Sequence, residues 1–411
     1  MVADATDGVA ELLAGPPVTA HIGFDPTSSS LHVGSLLTVM GLARLQRFGH
    51  TPIAIVGGGT GMIGDPSGKS QERVLLSREQ IDANVAGIRA QLERFLDFDA
   101  APNPARIVNN AEWLGAIDVL SFLRDVGKHF TVSYMLQKES VSRRLESEEG
   151  ISFTEFTYLV LQAYDFLQLF DRDGCVLQMG GTDQWGNITA GTDLIRRLRG
   201  KKVHGLVWPL MKTASGAKFG KTEAGAVWLD PQRTTPFKFY QFWLNTDDRD
   251  VIPYLKFFTF LDRPAIDALA ETTARAPEKR EAQRALAREV TGRVHGVDQV
   301  ERAEHASALL FGEDITRLPA EDVLAVFDDV PTSEIPAEEA RAGLGIVDLL
   351  ARIQLAPSKS EARRLVQSGG VYVNNRRIAD VQVRLTPAEA IEGRLFVVRK
   401  GSKQNFLVRL T

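Results

Sequence analysis

Two spacings of apolar residues alternate along the first half of the chain. Short apolar or β-branched runs at Val18–Phe24, Pro52–Val56, Ile107–Asn110 and Cys175–Met179 read as strands, the second apolar enough for burial on both faces. Between them the interval changes to three and four. Leu36, Leu37, Met40 and Leu45 share one helical face, Ser77–Leu96 and Ala116–Val126 read as amphipathic helices, and Phe153–Leu169 as a long apolar one. Strand–helix alternation across 18–210 predicts an α/β fold with a doubly wound parallel sheet. Beyond residue 221 the pattern turns helical, with Arg249–Phe260, Ala265–Ala274 and Glu278–His295 the clearest segments. Glu313–Ala340 is acidic and punctuated by Pro319, Pro331 and Pro336, so its later part reads as a linker. Two short helices, Ile346–Gln354 and Ser360–Gln367, precede strands near Gly369–Asn374, Val381–Leu385 and Leu395–Arg399, which together predict a small α+β domain. The expected division is 1–225, 226–330, a linker at 331–344, and 345–411.

Polar residues that interrupt these patterns mark candidate chemistry. Tyr158, Gln162 and Asp165 fall four and three apart on an otherwise apolar helix, so they share a face and need a partner there. Gly180–Trp185 is a small polar turn at a strand's carboxyl end, where open α/β sheets hold ligands. The strand ending at Phe24 breaks at Asp25-Pro26-Thr27 and three serines before a helix begins, which suits an anion, since the first N–H groups of a helix lack partners. His32 and Ser35 stand in that first turn, and Gly34 leaves room for a flat ring. Gly59, Gly61 and Gly64 spell G-x-G-x-x-G, but Asp65-Pro66 prevents the helix a dinucleotide site needs. Gly64–Ser70 and Gly216–Thr222 each miss the Walker A pattern.

Composition narrows the class. At 411 residues, with 44% hydrophobic and 24% charged, the chain is an ordinary globular protein of two or three domains. No run is long enough to span a bilayer, and the single Cys175 permits no internal disulfide, which suits a reducing cytoplasm. The net charge of −4 is unevenly spread. From Gly345 to Thr411 twelve Lys/Arg face five Asp/Glu, a net +7 that leaves −11 on the remainder. A basic tail on an acidic body points to RNA or another polyanion at one end.

Several stretches in one order, Gly23-Phe24-Asp25-Pro26-Thr27, Leu31-His32-Val33-Gly34-Ser35, Ile63–Gly68, Gln162–Phe166, Gly180–Asn187 and Lys218-Phe219-Gly220-Lys221-Thr222, resemble a bacterial tyrosyl-tRNA synthetase. The second and last of these are similar to the two nucleotide motifs of class I synthetases. The tail, with Ser358–Arg364 and Gly370–Asn374, resembles an S4-type RNA-binding module. The resemblance implies a Rossmann-like catalytic domain, a helical domain on the anticodon side and an S4-like end.

It also implies an activity: tyrosine and ATP form tyrosyl-adenylate, and tyrosine then passes to the terminal adenosine of tRNA(Tyr). His32, Thr27, Lys218 and Lys221 would serve the phosphates, with Lys69 and Arg73 on a second basic loop. Asp25, Gly34, Ser35 and Asp183 would line the nucleoside. Asp65, Tyr158 and Gln162 would surround the tyrosine ammonium, Gln184 its carboxylate, and Asp165 would accept from the phenol. Lys359, Arg363, Arg364 and Arg376 are the RNA-binding candidates. No tightly bound cofactor or dedicated metal site is implied; Mg²⁺ would accompany ATP. A cytoplasmic homodimer with contacts near Gly127–Phe130 is expected. Three departures stand out. His21 replaces the usual tyrosine as second phenol contact, which would bring pH dependence near neutrality. Ser35 replaces the motif's final histidine, and the N-terminal helical segment is shortened. A relative activating another aromatic amino acid and a non-catalytic RNA-binding protein are the competing readings.

Overall fold

The computed structural model describes residues 2–67, 76–146, 150–217, 219–222, 225–310, 315–317, 319–327, 330–401 and 404–411. Chain contacts divide it into two compact units, 1–234 with 242–294, and 235–241 with 295–411.

The first unit is built on six strands: β1 Asp4–Ala5, β2 Thr19–Phe24, β3 Thr51–Val56, β4 Arg106–Asn109, β5 Cys175–Gly181 and β6 His204–Trp208. Their order is β1-β6-β5-β2-β3-β4. All pairings are parallel except that of β1, which runs antiparallel to β6 at the edge. The chain moves outward from β2 through β3 and β4, then returns to the far side of β2 with β5 and β6. That reversal makes the carboxyl ends of β2 and β5 the switch point of the sheet. The doubly wound expectation is borne out, with β1 and β6 added to the strands read from the pattern. A small hairpin, β7 Lys221–Thr222 with β8 Gly225–Ala226, follows.

Helices cover both faces because both faces are apolar. On one, Ile53 and Ile55 pack with Leu159, Ala163, Phe166 and Leu169 of the helix Phe153–Asp173 and with Ala190, Leu194 and Ile195 of Trp185–Arg199. Burying each such Leu or Phe contributes roughly 1.5–3 kcal/mol. On the other, the helix Leu36–Arg47 lies against β2 and β3. Phe153–Asp173 carries three of the candidate residues, Tyr158, Gln162 and Asp165, and is fixed at both ends. Ser152 caps it by accepting from the Glu155 N–H, and Gly174 closes it in the left-handed conformation at φ 61°. Glu155, in its first turn, forms a wholly buried ion pair with Arg144 at 3.0 Å. The helices Arg78–Leu92 and Val119–Asp125 are shorter than their patterns suggest; each starts at a capping Ser77 or Asp118.

In the second unit, β9 Thr332–Ile335, β10 Leu344–Gly345, β11 Val371–Val373, β12 Arg376–Ile378, β13 Arg384–Leu385, β14 Leu395–Lys400 and β15 Gln404–Leu410 form two sheets. The larger has the order β12-β11-β14-β15-β9. One core gathers Ile335, Ala340, Leu344, Leu350, Val366, Phe396 and Val408 with the helices Ile346–Arg352 and Lys359–Gln367. A second joins Ile315, Ala320, Val323 and Phe327 to Ile391, Leu395, Val397 and Leu407. This corrects the linker expected at 331–344. That segment supplies β9, which runs parallel to β15, the helix Ala337–Arg341 and β10. Pro331 and Pro336 bracket the edge strand, a position where a missing N–H is tolerated. The strand expected at Val381–Leu385 shrinks to β13, and β12 and β15 are additions. Asn374 and Asn375, both left-handed at φ 46° and 63°, make the tight β11–β12 turn.

Candidate functional site

Among the described residues, several predicted ones lie next to the carboxyl ends of β2 and β5: Asp25 and His32 follow β2, and Asp183 and Gln184 follow β5. His21, Gly23 and, across the parallel register, Gln178 and Gly180 face the same side of the sheet. A side chain at Gly23 would meet nothing within 4 Å, so the sheet opens onto empty space at this point. Near this end of the sheet, Tyr158 of one helix reaches Asp25 just past β2, and Gln184, at the start of the next, lies beside Gly180 of β5.

Asp165 is buried, with two donors aimed at it. Its Oδ1 accepts from Trp113 Nε1 at 2.7 Å and its Oδ2 from Asn110 Nδ2 at 2.9 Å. Burial raises its pKa from 3.8 to about 7, against the two donors, which favour the ionised form; the Asp25 charge adds to the rise. The same Asn110 amide lies 2.9 Å from Thr60 Oγ1, and Thr60 donates to Asp25 Oδ1 at 2.8 Å. Asp25 Oδ2 accepts from the Tyr158 hydroxyl at 2.7 Å. One continuous chain of hydrogen bonds therefore runs from Trp113 to Tyr158. Burial, then the Asp25 charge, drives the Tyr158 phenol well above its ordinary range, so it stays a donor.

A second network closes the other side. Gln184 Nε2 donates to Asp65 Oδ2 at 2.7 Å, and Asp65 Oδ1 accepts from the Ser67 N–H. Asn187 Nδ2 reaches Gln162 Oε1 at 3.0 Å and Gln184 Oε1 at 3.2 Å. The helix face of Tyr158, Gln162 and Asp165 is thus satisfied by protein partners. Trp113, Asn110, Thr60 and Asn187 were not singled out from sequence, and they supply those partners. Asp25, expected beside the nucleoside, also ties Tyr158 to Thr60.

His21 departs from expectation. Its ring is wholly buried, edge-on to Phe166 at 4.8 Å between centroids, with Nδ1 3.2 Å from Cys175 Sγ and Nε2 without a hydrogen-bond partner. Burial drops its pKa to about 3, so the titration near neutrality does not arise from this histidine. The Cys175 thiol is raised by the same burial and stays protonated.

The turn after β2 meets the hairpin region through its backbone. Val33 N–H donates to Val227 O at 2.9 Å, Leu229 N–H to Leu31 O at 2.9 Å, and Val227 N–H to Gly220 O at 3.1 Å. A Cβ on Gly220 would lie 3.3 Å from the Gly34 nitrogen, so the two motif stretches touch. Phe219 anchors that contact, stacked on Phe258 at 5.3 Å and packed with Tyr254 and Trp243. The bonded Val33 N–H also differs from the free helix start expected here. His32 is half-buried and Gly34 and Thr27 are exposed. Asp183 Oδ2 lies 3.4 Å from Gln184 Nε2. Lys69, Arg73, Lys218 and the Lys221 side chain lie outside the described residues. Lys359 pairs with Asp348 at 2.6 Å, and Arg363, Arg364 and Arg376 are exposed. Among the described residues no three of His, Cys, Asp or Glu gather as a metal site would require, and no helix is long and apolar enough to cross a membrane.

Comparison with known proteins gives the same answer for both units. Residues 14–312 match the family model described as "tRNA synthetases class I (W and Y)", and residues 322–408 match "Tyrosine--tRNA ligase SYY-like C-terminal domain". The chain is 56% identical to a tyrosine–tRNA ligase of Roseiflexus castenholzii over 99% of its own length and 96% of the relative's. It is 52% identical to that of Geobacillus kaustophilus, covering 98% and 95%. A C-terminally truncated mitochondrial tyrosyl-tRNA synthetase of Aspergillus nidulans superposes with a TM-score of 0.66 at 32% identity, over 72% of this chain and 86% of that one.

Proposed function

The chain belongs to the tyrosine–tRNA ligase family of class I tRNA synthetases, and from that premise we propose how its residues divide the ATP-driven joining of tyrosine to tRNA. The observation that carries the assignment is the buried Asp165 with its two donors, Trp113 and Asn110. Ionised, it takes the phenolic proton of tyrosine as a hydrogen bond. Phenylalanine would leave it unpaired, a costly state for a buried carboxylate, and tyrosyl-tRNA synthetase is itself the standard illustration of that rejection. Asp65, Gln162 and the Tyr158 oxygen receive the substrate ammonium, and Gln184 approaches its carboxylate.

Activation needs no protein nucleophile. The tyrosine carboxylate oxygen attacks the α-phosphorus of ATP, the α–β bond breaks, and pyrophosphate leaves with its electron pair. Positioning and charge neutralisation then carry the catalysis. His32 and Thr27 serve the phosphates from the β2 turn, while Lys218 and Lys221 serve them from the second motif stretch. Lys69 and Arg73 add charge from the second loop. Gly34, Ser35 and Asp183 line the nucleoside, and Mg²⁺ travels with the triphosphate. In the second step a ribose hydroxyl of the tRNA's terminal adenosine attacks the acyl carbon and AMP departs.

Residues 226–330 and 345–411 face the tRNA, with Lys359, Arg363, Arg364 and Arg376 the contacts in the tail. A cytoplasmic homodimer fits the large apolar side chains left exposed at Val119, Leu120, Leu123, Val132 and Phe153, the last 77% exposed. They flank Gly127–Phe130 in sequence. ATP–pyrophosphate exchange with tyrosine and with phenylalanine tests the reading: exchange confined to tyrosine supports it, and equal exchange with both removes Asp165 from its role.

A further inference from the structure

The segment following the hairpin does more than close over the β2 turn. His32 forms an isolated antiparallel bridge with Trp228, and their rings meet edge to face at 6.0 Å and 64°. On its other side the imidazole leans across Gly34, where an added Cβ would lie 2.7 Å from Cε1. Trp228 is itself clamped. The Arg233 guanidinium carbon sits 3.3 Å from the indole ring centre, and Arg233 also donates to Ser28 Oγ in the same turn as His32. The Trp228 N–H donates to Thr234 Oγ1 at 3.0 Å.

From this we infer that Trp228, held by Arg233, is a positioning residue that sets the His32 imidazole for the triphosphate. An indole carrying a cation on one face leaves its rim and remaining face to order a neighbouring ring. The bridge joins His32 to a stretch whose Val227 N–H donates to Gly220 O, so the placement of His32 and of the Gly220 backbone are set together. A residue acting in this way should govern the rate of adenylate formation and leave the tyrosine pocket untouched. Displacements of about 1 Å in such a group can cost on the order of a hundredfold in rate.

The inference rests on the phosphate role proposed for His32, so the test separates the two. Tyrosine-dependent ATP–pyrophosphate exchange is measured for Trp228→Leu, Trp228→Phe, His32→Ala and the double variant Trp228→Leu/His32→Ala, with tyrosine binding followed by equilibrium dialysis. Trp228→Leu is expected to lower kcat for exchange about ten- to a hundredfold with tyrosine Kd unchanged, and Trp228→Phe to restore most of it. In the His32→Ala background the Trp228→Leu change should add little. Independent, multiplying losses would overturn the positioning role while leaving that of His32. A His32→Ala enzyme with normal exchange would sink the phosphate reading itself and the inference with it. A Trp228→Leu loss shared equally by tyrosine Kd would mark general unfolding of the site and also overturn it.

Discussion

The indole of Trp113 donates to Asp165 at 2.7 Å from the four-residue helix Ala111–Leu114. The proposed acceptor for the tyrosine phenol is therefore tuned by a side chain outside the proposed substrate-facing set. Trp113→Phe keeps the ring and removes the donor. A hydrogen bond to a charged group is worth about 1.5–3 kcal/mol, so the tyrosine KM should rise on the order of ten- to a hundredfold while the ATP KM holds. Steady-state exchange kinetics check this, and an unchanged tyrosine KM would detach Trp113 from substrate selection.

Tyrosine binding should vary with pH through Asp165 alone. In the empty site its pKa is about 7, so below that pH the phenol meets a protonated acid and above it an acceptor. Affinity for tyrosine should increase as pH rises from about 6 to 8, by up to about tenfold per unit below the transition. His21, near 3, adds no second step in that range. The stability sign is the reverse. A carboxyl whose folded pKa is raised contributes stability that is fully present below about 4 and lost as pH climbs through about 7. Asp165→Asn should remove both slopes, measured by isothermal titration and by denaturant unfolding across pH 4–8.

Gly57 lies where Asp25, Thr60 and the end of β3 converge. A Cβ there would fall 2.2 Å from Asp25 Oδ1 and 2.4 Å from Thr60 Oγ1, both already committed to the chain of bonds between Tyr158 and Asn110. Gly57→Ala should cost roughly 1–3 kcal/mol of stability through overpacking and slow adenylate formation as well. Thermal unfolding alongside exchange rates decides, and a silent substitution would mean the network readily gives way.

Truncation at residue 345 would cut through a core. Ile335 of β9 packs in the same cluster as Phe396 and Val408, and Val323 and Phe327 lie against Leu395 and Leu407. A 1–344 chain should expose these residues, bind a hydrophobic dye and aggregate. A chain ending near residue 294, at the boundary of the first unit, should retain tyrosine-dependent exchange and lose tRNA charging. Charging by the shorter chain at the normal rate would remove the second unit from tRNA recognition.

Much of this arrangement could be read in the sequence because periodicity reports burial. The runs at Pro52–Val56 and Cys175–Met179 are central strands, and the spacing of Tyr158, Gln162 and Asp165 does place them on one working face. Asp65 and Gln184, 119 residues apart, meet as members of one motif set. What escaped has a common physical origin. Trp113, Asn110 and Thr60 act through single side chains on short turns and helices, where no repeat marks them, and their partners are distant in sequence. β9 escaped because only Ile335 of its four residues is buried, leaving no alternation to detect. The burial that neutralises His21 depends on Phe166 and Cys175 arriving from other elements, so a motif position alone suggested a titrating contact.

The parallel pairing of β9 with β15 has a bearing on biosynthesis. Every strand of the catalytic sheet has been made by Trp208, and that sheet can assemble while translation continues, as amino-terminal domains generally do. The tail sheet must wait for Gln404–Leu410 to emerge before β9 gains the neighbour it has among the described residues. Until β15 has emerged, the second unit keeps an unpaired edge and a bare apolar core, so its vulnerable interval spans the synthesis of everything between the two strands.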